Sequence, residues 1–390
     1  MKEIIVYPRE IAVIKGFANG GEAVGTLESG KTVFVRGAVP GERVEVEVFQ
    51  DKNRYSRARL VKVLEKSPER IETDCPCFPV CPGCSYRHVP YSMELDWKQR
   101  QLEYLLRGIE GVQYHAPVGA SSRNAWRNKL TLHVQDNLCG YKKDDNVSLL
   151  PVDRCLMAYD NINEEIKNIR THENCSITLR STPQNGVIQL ERGKESKTVL
   201  TETLGKFGDF KVSASGFFQT NLEIAEKLVS QVVKCVRSTG GSKLCELYCG
   251  TGVFSIACAE SIPTLECTAN ELVKEAVIRA RNNAANHSVS SRCRFFDGDA
   301  GKFFARYKPS AEPFVLLVDP PRTGMDADTV KCILKHLPET VIYISCAADT
   351  LARDLKRLSE KYTVSDITLF DMFPGTSHFE TLAVCKIKQQ

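Results

Sequence analysis

Reactive side chains follow predicted strands in the last quarter of the sequence. A buried apolar run ends in Asp319-Pro-Pro-Arg322, and the two prolines stiffen the turn behind the carboxylate. The following strand has Cys346 at its C-terminal tip, and Glu380 lies just before the last predicted strand. Because open α/β sheets bind ligands outside the carboxyl ends of their strands, Asp319 and Cys346 are candidates for chemistry at that edge.

A glycine turn lies between a predicted strand and a predicted helix in residues 244–260 (LCELYCGTGVFSIACAE). Gly250 and Gly252 allow a ligand to approach the backbone, and the helix N-terminus leaves N–H groups beside it. About twenty residues later, Glu271 ends a second strand, where its carboxylate can hold two ribose hydroxyls. The G-x-G-x-F pattern favours S-adenosylmethionine over NAD. A sharp turn that binds no ligand is the alternative.

The densest group of cysteines is Cys75, Cys77, Cys81 and Cys84, which fall within ten residues. Zinc could take all four, although paired knuckles normally need a longer loop between them. An iron–sulfur cluster suits the C-x5-C-x2-C spacing of Cys75, Cys81 and Cys84, with Cys155 as a remote fourth ligand and Cys77 as a bystander. Buried thiols without any metal are the third interpretation.

Short alternating strands separated by glycine-containing turns predict a small β-barrel in the first 66 residues. Its last segment places one aromatic among four basic residues: Arg54, Tyr55, Arg57, Arg59 and Lys62. This segment is either a solvated edge strand or a face that contacts RNA phosphates.

A single amphipathic helix is predicted over residues 91–109, where its apolar side is expected to pack in a core. The alternating strands that follow carry Arg123, Arg127 and Lys129, which are either exposed surface charges or RNA phosphate contacts.

Composition places the chain among ordinary globular proteins. It has 390 residues, 42% apolar and 26% charged, which is enough for two or three domains with a sizeable core. We expect no membrane span and no secretory signal, because the sequence contains no apolar run of the required length. Sixteen cysteines then indicate metal binding, catalysis or burial in a reducing, cytoplasmic setting. A net charge of +4 means that any nucleic-acid surface is a local patch.

Taken together, these motifs resemble a known family. FFQTN, ELYCGTGVFS, the NE pair at 270–271, DPPRTGMD, YISCAADTLARDL and DMFPGTSHFET resemble the RNA uracil-5-methyltransferases, in order, over residues 211–386. The stretch GFANGGEAVGTLESGKTVFVRGAVPGERVEVEV resembles a TRAM domain, an RNA-binding module, over residues 8–65. With the C-x5-C-x2-C loop, the most similar subgroup is the iron–sulfur 23S rRNA enzymes; the transfer-RNA branch usually lacks both features.

The resemblance implies a fold and a set of roles. It implies an OB-like TRAM barrel (1–66), a central mixed domain with the iron–sulfur loop (67–210) and a C-terminal Rossmann-like methyltransferase domain (211–390). Cys346 would be the nucleophile and Glu380 the base. The residues implied around S-adenosyl-L-methionine and the target base are Gln219, Tyr248, Glu271, Asp299 and Asp319. The implied ligands of a 4Fe-4S cluster are Cys75, Cys81, Cys84 and Cys155. The implied partner is RNA, above all ribosomal RNA. The sequence does not determine the oligomeric state, and a monomer is favoured.

Three departures from the family pattern stand out, and the first of them bears on activity. Ala347 and Ala348 follow Cys346 where the family usually has Asn-Pro, which could loosen the thiol's loop. Glu246 replaces the commoner Asp, a chemically minor change, and Val253 stands where related enzymes can place a polar residue near the cofactor. Two other functions are compatible with parts of the pattern. An amino-group methyltransferase would use D-P-P-R but would need neither Cys346 nor Glu380, and a non-catalytic RNA-binding factor would account for the altered loop.

Overall fold

The structure is a computed structural model that describes residues 7–169, 174–191, 196–308 and 313–388. Contacts divide the chain into two compact units. The first comprises Met1–Gln101, Leu138–Val152 and Phe373–His378, and the second comprises Leu102–Asn137, Asp153–Met372 and Phe379–Gln390. The three domains expected from sequence remain a prediction. Within the described ranges, no helix has the length and apolar character needed to cross a membrane.

Strands predominate up to Ser213, and helices and strands alternate from Leu222 until the last two strands. The strands are β1 (Arg9–Phe17), β2 (Ala23–Leu27), β3 (Thr32–Arg36), β4 (Arg43–Asp51), β5 (Tyr55–Glu65), β6 (Gln113–Tyr114), β7 (Lys129–Gln135), β8 (Leu138–Lys142), β9 (Leu149–Pro151), β10 (Cys175–Thr182), β11 (Gly186–Glu191), β12 (Val199–Thr203), β13 (Asp209–Ser213), β14 (Lys243–Leu247), β15 (Glu266–Glu271), β16 (Cys293–Asp297), β17 (Val315–Val318), β18 (Thr340–Ser345), β19 (Tyr362–Phe370) and β20 (Glu380–Ile387). The α-helices are α1 (Tyr91–Leu106), α2 (Asp160–Ile166), α3 (Leu222–Ser238), α4 (Val253–Ser261), α5 (Lys274–Asn286), α6 (Ala300–Arg306), α7 (Ala327–His336) and α8 (Ala348–Leu358).

The first unit contains a closed barrel with strand order β1-β2-β3-β5-β4. Its strands alternate buried and exposed residues, so Ile14, Val33, Val44 and Val46 fill the interior. Closure removes the free strand edges that five short strands would otherwise present to solvent. The predicted barrel is confirmed.

The cysteine-rich segment is attached to this barrel by polar contacts inside the first unit. Arg36 on β3 donates hydrogen bonds to the carbonyls of Cys81 and Cys84, at 2.5 and 3.1 Å. The Arg70 side chain forms an ion pair with the buried Glu42 carboxylate. Because a buried carboxylate is costly without a partner, this ion pair fixes the chain that leads from the barrel to the cysteines. The hairpin β8–β9 belongs to the same unit.

The second unit is built on an eight-stranded sheet of order β16-β15-β14-β17-β18-β20-β19-β6. Strands β14 to β18 are parallel, whereas β20 pairs antiparallel with both β18 and β19. Every residue of β17 and β18 is buried, as expected for strands covered by helices on both faces. Leu102 and Leu106 at the end of α1 belong to this core. The predicted Rossmann-like domain is confirmed.

Other strands pair outside this sheet. Strand β10 pairs antiparallel with β7 and β11, and β12 pairs with β13.

Candidate active site

The glycine turn after β14 has the strained backbone that its sequence predicts. Tyr248, Gly250 and Gly252 have positive φ angles of 65°, 53° and 83°. A Cβ at Gly252 would lie 2.8 Å from the Phe295 ring, so only glycine fits there. A Cβ at Gly250 would meet no described atom within 4 Å, so the turn leaves open space beside its backbone. Glu271 holds the turn in place by accepting a 3.0 Å hydrogen bond from the Gly250 amide.

Three of the five predicted pocket residues line one cavity. Gln219, Tyr248 and Asp319 surround it together with the glycine turn, and Phe217 and Val253 add apolar walls. Such a combination of apolar walls and a few polar groups is typical of small-molecule sites.

Of the other two predicted pocket residues, Glu271 lies beside this cavity and Asp299 lies away from it. Glu271 adjoins the cavity through its bond to Gly250. Asp299 is exposed, caps α6 by accepting a hydrogen bond from the Lys302 amide at 2.9 Å, and lines a separate cavity with Phe296. The structure therefore gathers four of the five residues and leaves Asp299 at the next strand end.

Glu246 does not face the ligand cavity. Its side chain is buried beneath the turn, where one carboxylate oxygen accepts hydrogen bonds from the amide and hydroxyl of Ser255 in the first turn of α4. Burial raises the pKa of Glu246 to about 8 despite these bonds, with a smaller contribution from Asp319. Glu246 therefore secures the start of α4, a role that its sequence position did not reveal.

Cys346 and Glu380 lie just beyond the last pair of two antiparallel strands. The register ends with Ser345 of β18 opposite Thr381 of β20, and Cys346 and Glu380 are the adjoining residues of the two chains. The Glu380 carboxylate is close enough to act electrostatically on the Cys346 thiol. Strand pairing thus brings together a thiol and a carboxylate that are 34 positions apart in sequence.

The electrostatic environment of the thiol disfavours its anion. Burial raises the pKa of Cys346 to about 11, the carboxylates of Glu380 and Asp319 add to the rise, and the Arg322 guanidinium opposes it. Burial and Asp319 also raise the pKa of Glu380 well above its usual value, again against Arg322. Burial and Glu271 raise the pKa of Asp319 to about 7. The Cys346 thiol and the Glu380 carboxyl therefore share Arg322 as a counter-charge.

The loop after the thiol is held by hydrogen bonds despite its two alanines. Ser345 accepts a hydrogen bond from the Ala347 amide at 3.2 Å, and Thr350 donates to the carbonyl of Ala347 at 3.0 Å. The Thr350 hydroxyl also lies 3.1 Å from the Arg322 carbonyl, so the same residue contacts the D-P-P-R loop. Ala347 and Ala348 could have loosened this loop, but the hydroxyls of Ser345 and Thr350, which no sequence motif singled out, hold it.

Asp354 on α8 is a second contributor that sequence analysis missed. Its carboxylate accepts hydrogen bonds from the Met325 amide and the Tyr343 hydroxyl, both at 2.9 Å, and so fixes the end of the D-P-P-R-T-G-M loop. The signal was present, because Asp354 is a charged residue on the buried side of α8, next to Leu351 and Leu358.

The cysteines proposed as cluster ligands are divided between the two units. Cys75, Cys81 and Cys84 lie in the first unit and Cys155 lies in the second. In the described part of the chain, no three His, Cys, Asp or Glu side chains gather closely enough to hold one metal ion. The predicted 4Fe-4S cluster stays a prediction.

A buried arginine lies beside the cysteine loop. The buried guanidinium of Arg87 lies near the Cys84 and Cys75 thiols and the Asp74 carboxylate. Burial lowers the pKa of Arg87, but Cys84, Asp74 and Cys75 together raise it above its ordinary value. A buried cation therefore lies beside two of the cysteines proposed as cluster ligands.

Comparison with known proteins identifies the family. The sequence matches the family described as tRNA (Uracil-5-)-methyltransferase over residues 94–295 and 306–387, and the TRAM domain over residues 12–61. An uncharacterised RNA methyltransferase of Aquifex aeolicus is 30% identical, with 92% of this chain and 94% of the relative covered. One from Halalkalibacterium halodurans is 28% identical, with 96% of each chain covered.

A solved structure shares the fold. The tRNA (uracil-54, C5)-methyltransferase of Pyrococcus abyssi, in complex with S-adenosyl-L-homocysteine, superposes with a TM-score of 0.75 at 23% identity, covering 96% of this chain and 99% of that one. The family match extends over most of the chain, including the cavity, Cys346 and Glu380. The chain belongs to the tRNA (uracil-5-)-methyltransferase family and carries an N-terminal TRAM domain.

Proposed function

We propose that the protein transfers a methyl group from S-adenosyl-L-methionine to C5 of a uridine in RNA, through a covalent adduct with Cys346. The observation that carries this proposal is the proximity of Cys346 and Glu380 at the end of the β18–β20 pairing, with Asp319 and Arg322 in electrostatic contact with both.

The chemistry requires both a nucleophile and a base. The deprotonated sulfur of Cys346 bonds to C6 of uracil, and the C5–C6 electrons move to the carbonyl oxygen at C4 as an enolate. C5 then bonds to the methyl carbon, and the sulfonium leaves as a neutral thioether. Glu380 takes the C5 proton, the C6–sulfur bond breaks, and the thiolate is restored together with the C5–C6 double bond.

Burial raises the pKa of both groups, which favours the role of Glu380 as a base and opposes the role of Cys346 as a nucleophile. A raised pKa makes the Glu380 carboxylate a stronger base than an exposed one. The same burial leaves Cys346 protonated at neutral pH, so Arg322 is needed to support its anion.

The methyl donor is assigned to the cavity beside the glycine turn. Its apolar walls suit a flat adenine ring, and the Glu271 carboxylate at the end of β15 suits ribose hydroxyls. When bound there, the donor supplies the electrophilic methyl group. The bound S-adenosyl-L-homocysteine in the Pyrococcus abyssi enzyme supports this assignment.

We further propose 23S ribosomal RNA as the substrate and a 4Fe-4S cluster held by Cys75, Cys81, Cys84 and Cys155. The thiol spacing and the cation of Arg87 beside the loop support the cluster, since a cubane binds its thiolates at four separate corners. Transfer RNA is the alternative substrate, as the name of the Pyrococcus abyssi enzyme indicates for that protein. A cytoplasmic location remains part of the proposal. Mapping 5-methyluridine in both RNA classes, with and without the protein, decides between the substrates.

A denaturing gel tests the mechanism. RNA bearing 5-fluorouridine should trap the unaltered protein, because fluorine cannot leave as a cation. Cys346→Ala should bind RNA but give no slow band, whereas Glu380→Gln should give a slow band even with ordinary uridine. Cys332→Ala, which changes another half-buried thiol, should behave like the unaltered protein. An adduct peptide that maps to Cys249 instead of Cys346 would refute the assignment.

A further inference from the structure

The loop between β19 and β20 connects the proposed base to the first unit. Phe370 pairs with Glu380 at the mouth of this hairpin, so the chain between them forms the loop. Within the loop, Phe373–His378 is counted in the first unit, and only Phe379 separates this segment from Glu380.

Gly375 is fixed within the first unit from both sides of its backbone. Its amide donates a 2.6 Å hydrogen bond to the Glu94 carboxylate. Its carbonyl accepts hydrogen bonds from the amides of Ser85 and Tyr86, at 2.8 and 3.2 Å. We call these contacts the Gly375 anchor. Three hydrogen bonds on one peptide segment hold the loop far more tightly than a solvent-exposed hairpin would be held.

The acceptor in this anchor is half of a buried ion pair that the proposed chemistry does not use. Glu94 and Lys98 are both fully buried on α1, and their side chains are 2.7 Å apart. Lys98 also donates to the Phe373 carbonyl at 3.4 Å, so the pair contacts the loop at two points. A buried ion pair often contributes little to the net free energy of folding, so stability alone is a poor explanation for this one. Its hydrogen bonds to the loop indicate a role in positioning the loop instead.

We infer that the Gly375 anchor positions Glu380 for removal of the C5 proton, an inference that rests on the proposed function. Glu380 is the first residue of β20, so strand pairing constrains the chain on its C-terminal side, while the chain on its N-terminal side belongs to the loop. The remaining constraint must come from the preceding loop. Thr376 tightens that connection, since its hydroxyl donates to the Phe373 carbonyl at 2.8 Å and accepts from the His378 amide at 3.1 Å.

Gly375 offers a mild way to disturb the anchor. Its φ of +83° lies in the left-handed region, which strains any residue with a side chain. An added Cβ would come no closer than 3.9 Å to Arg87 and 4.0 Å to Cys84, which is ordinary contact. Gly375→Ala therefore perturbs the backbone of the anchor without a steric clash. Gly240→Ala is the matched control, because Gly240 also has a positive φ and a Cβ there would meet no described atom within 4 Å.

The test compares adduct formation with adduct resolution in the full-length protein. Gly375→Ala should form the 5-fluorouridine adduct within about twofold of the normal rate, yet resolve the ordinary uridine adduct about 10 to 100 times more slowly, because a small misplacement of a catalytic group costs that much. Protein bonded to RNA should therefore accumulate. Glu94→Asp, whose shorter side chain draws the acceptor away from the Gly375 amide, should do the same, and Gly240→Ala should do neither.

Different failures have different meanings. If Gly375→Ala and Glu94→Asp slow both steps equally, or slow neither, while Glu380→Gln accumulates its adduct, the positioning inference is overturned and the proposed function stands. If Glu380→Gln itself accumulates no adduct, the assignment of the base is wrong and the inference falls with it. The thermal unfolding of all four variants is measured alongside. If a variant loses the same rate in both steps because it has lost stability, that result also overturns the inference.

Discussion

The pH dependence of adduct formation follows from the environment of Cys346. With a pKa of about 11, about one thiol in 3,000 is ionised at pH 7.5. Because only the thiolate attacks C6, the rate of adduct formation should rise about tenfold for each pH unit from 7 to 9.5. A thiol with an ordinary pKa near 8.5 would instead reach a plateau above about pH 9.

Replacing Arg322 tests the cause of this dependence. Arg322 is the cation that opposes the raised pKa of Cys346, so Arg322→Met should raise that pKa further. A nearby opposite charge shifts a pKa by about one unit or more, which corresponds to about 1.4 kcal/mol and a tenfold lower rate at each pH. The slope against pH should remain unchanged.

The assay is the single-turnover rate of the slow gel band with RNA carrying 5-fluorouridine, at saturating RNA and methyl donor. Saturation separates an effect on the thiol from an effect on RNA affinity. Lys331→Gln, which removes an exposed cation from α7, is the control and should leave the rate unchanged. A rate that does not change between pH 7 and 9, or an Arg322→Met rate equal to that of the unaltered protein, would show that the electrostatic argument is wrong.

Two further predictions concern the first unit. Anaerobically purified protein should contain about four irons per chain in a metal analysis. Cys77→Ala should keep the irons and Cys81→Ala should lose them. Stoichiometric zinc without iron would contradict the cluster. Replacing Arg54, Arg59 and Lys62 on the barrel by glutamine should make the salt dependence of RNA binding less steep by about 2 in log–log slope, at about 0.7 per lost phosphate contact on a single strand. An unchanged slope in a filter-binding titration would remove the barrel from the RNA surface.

Local sequence patterns determined the elements and the strand ends at which polar groups appear. The alternation of apolar residues in β1 to β5 predicts a barrel, and the continuous apolar runs of β17 and β18 predict buried parallel strands. The glycines at 250 and 252 are needed by the backbone of the turn itself, whatever surrounds it. These features depend on neighbours within a few positions, so the sequence alone carries them.

Long-range packing decided how those groups meet and what state they are in. The register of β18 against β20 brings Glu380 to the end of β18, beside Cys346, and no local pattern specifies that register. Burial depends on the whole fold, and it raises the pKa values of Cys346 and Glu380. The whole fold also decides that the Glu246 side chain is buried beneath the glycine turn. The attachment of Gly375 to Glu94 joins residues 281 positions apart. Strand register and burial belong to the folded chain as a whole, and for that reason only the tertiary structure could reveal them.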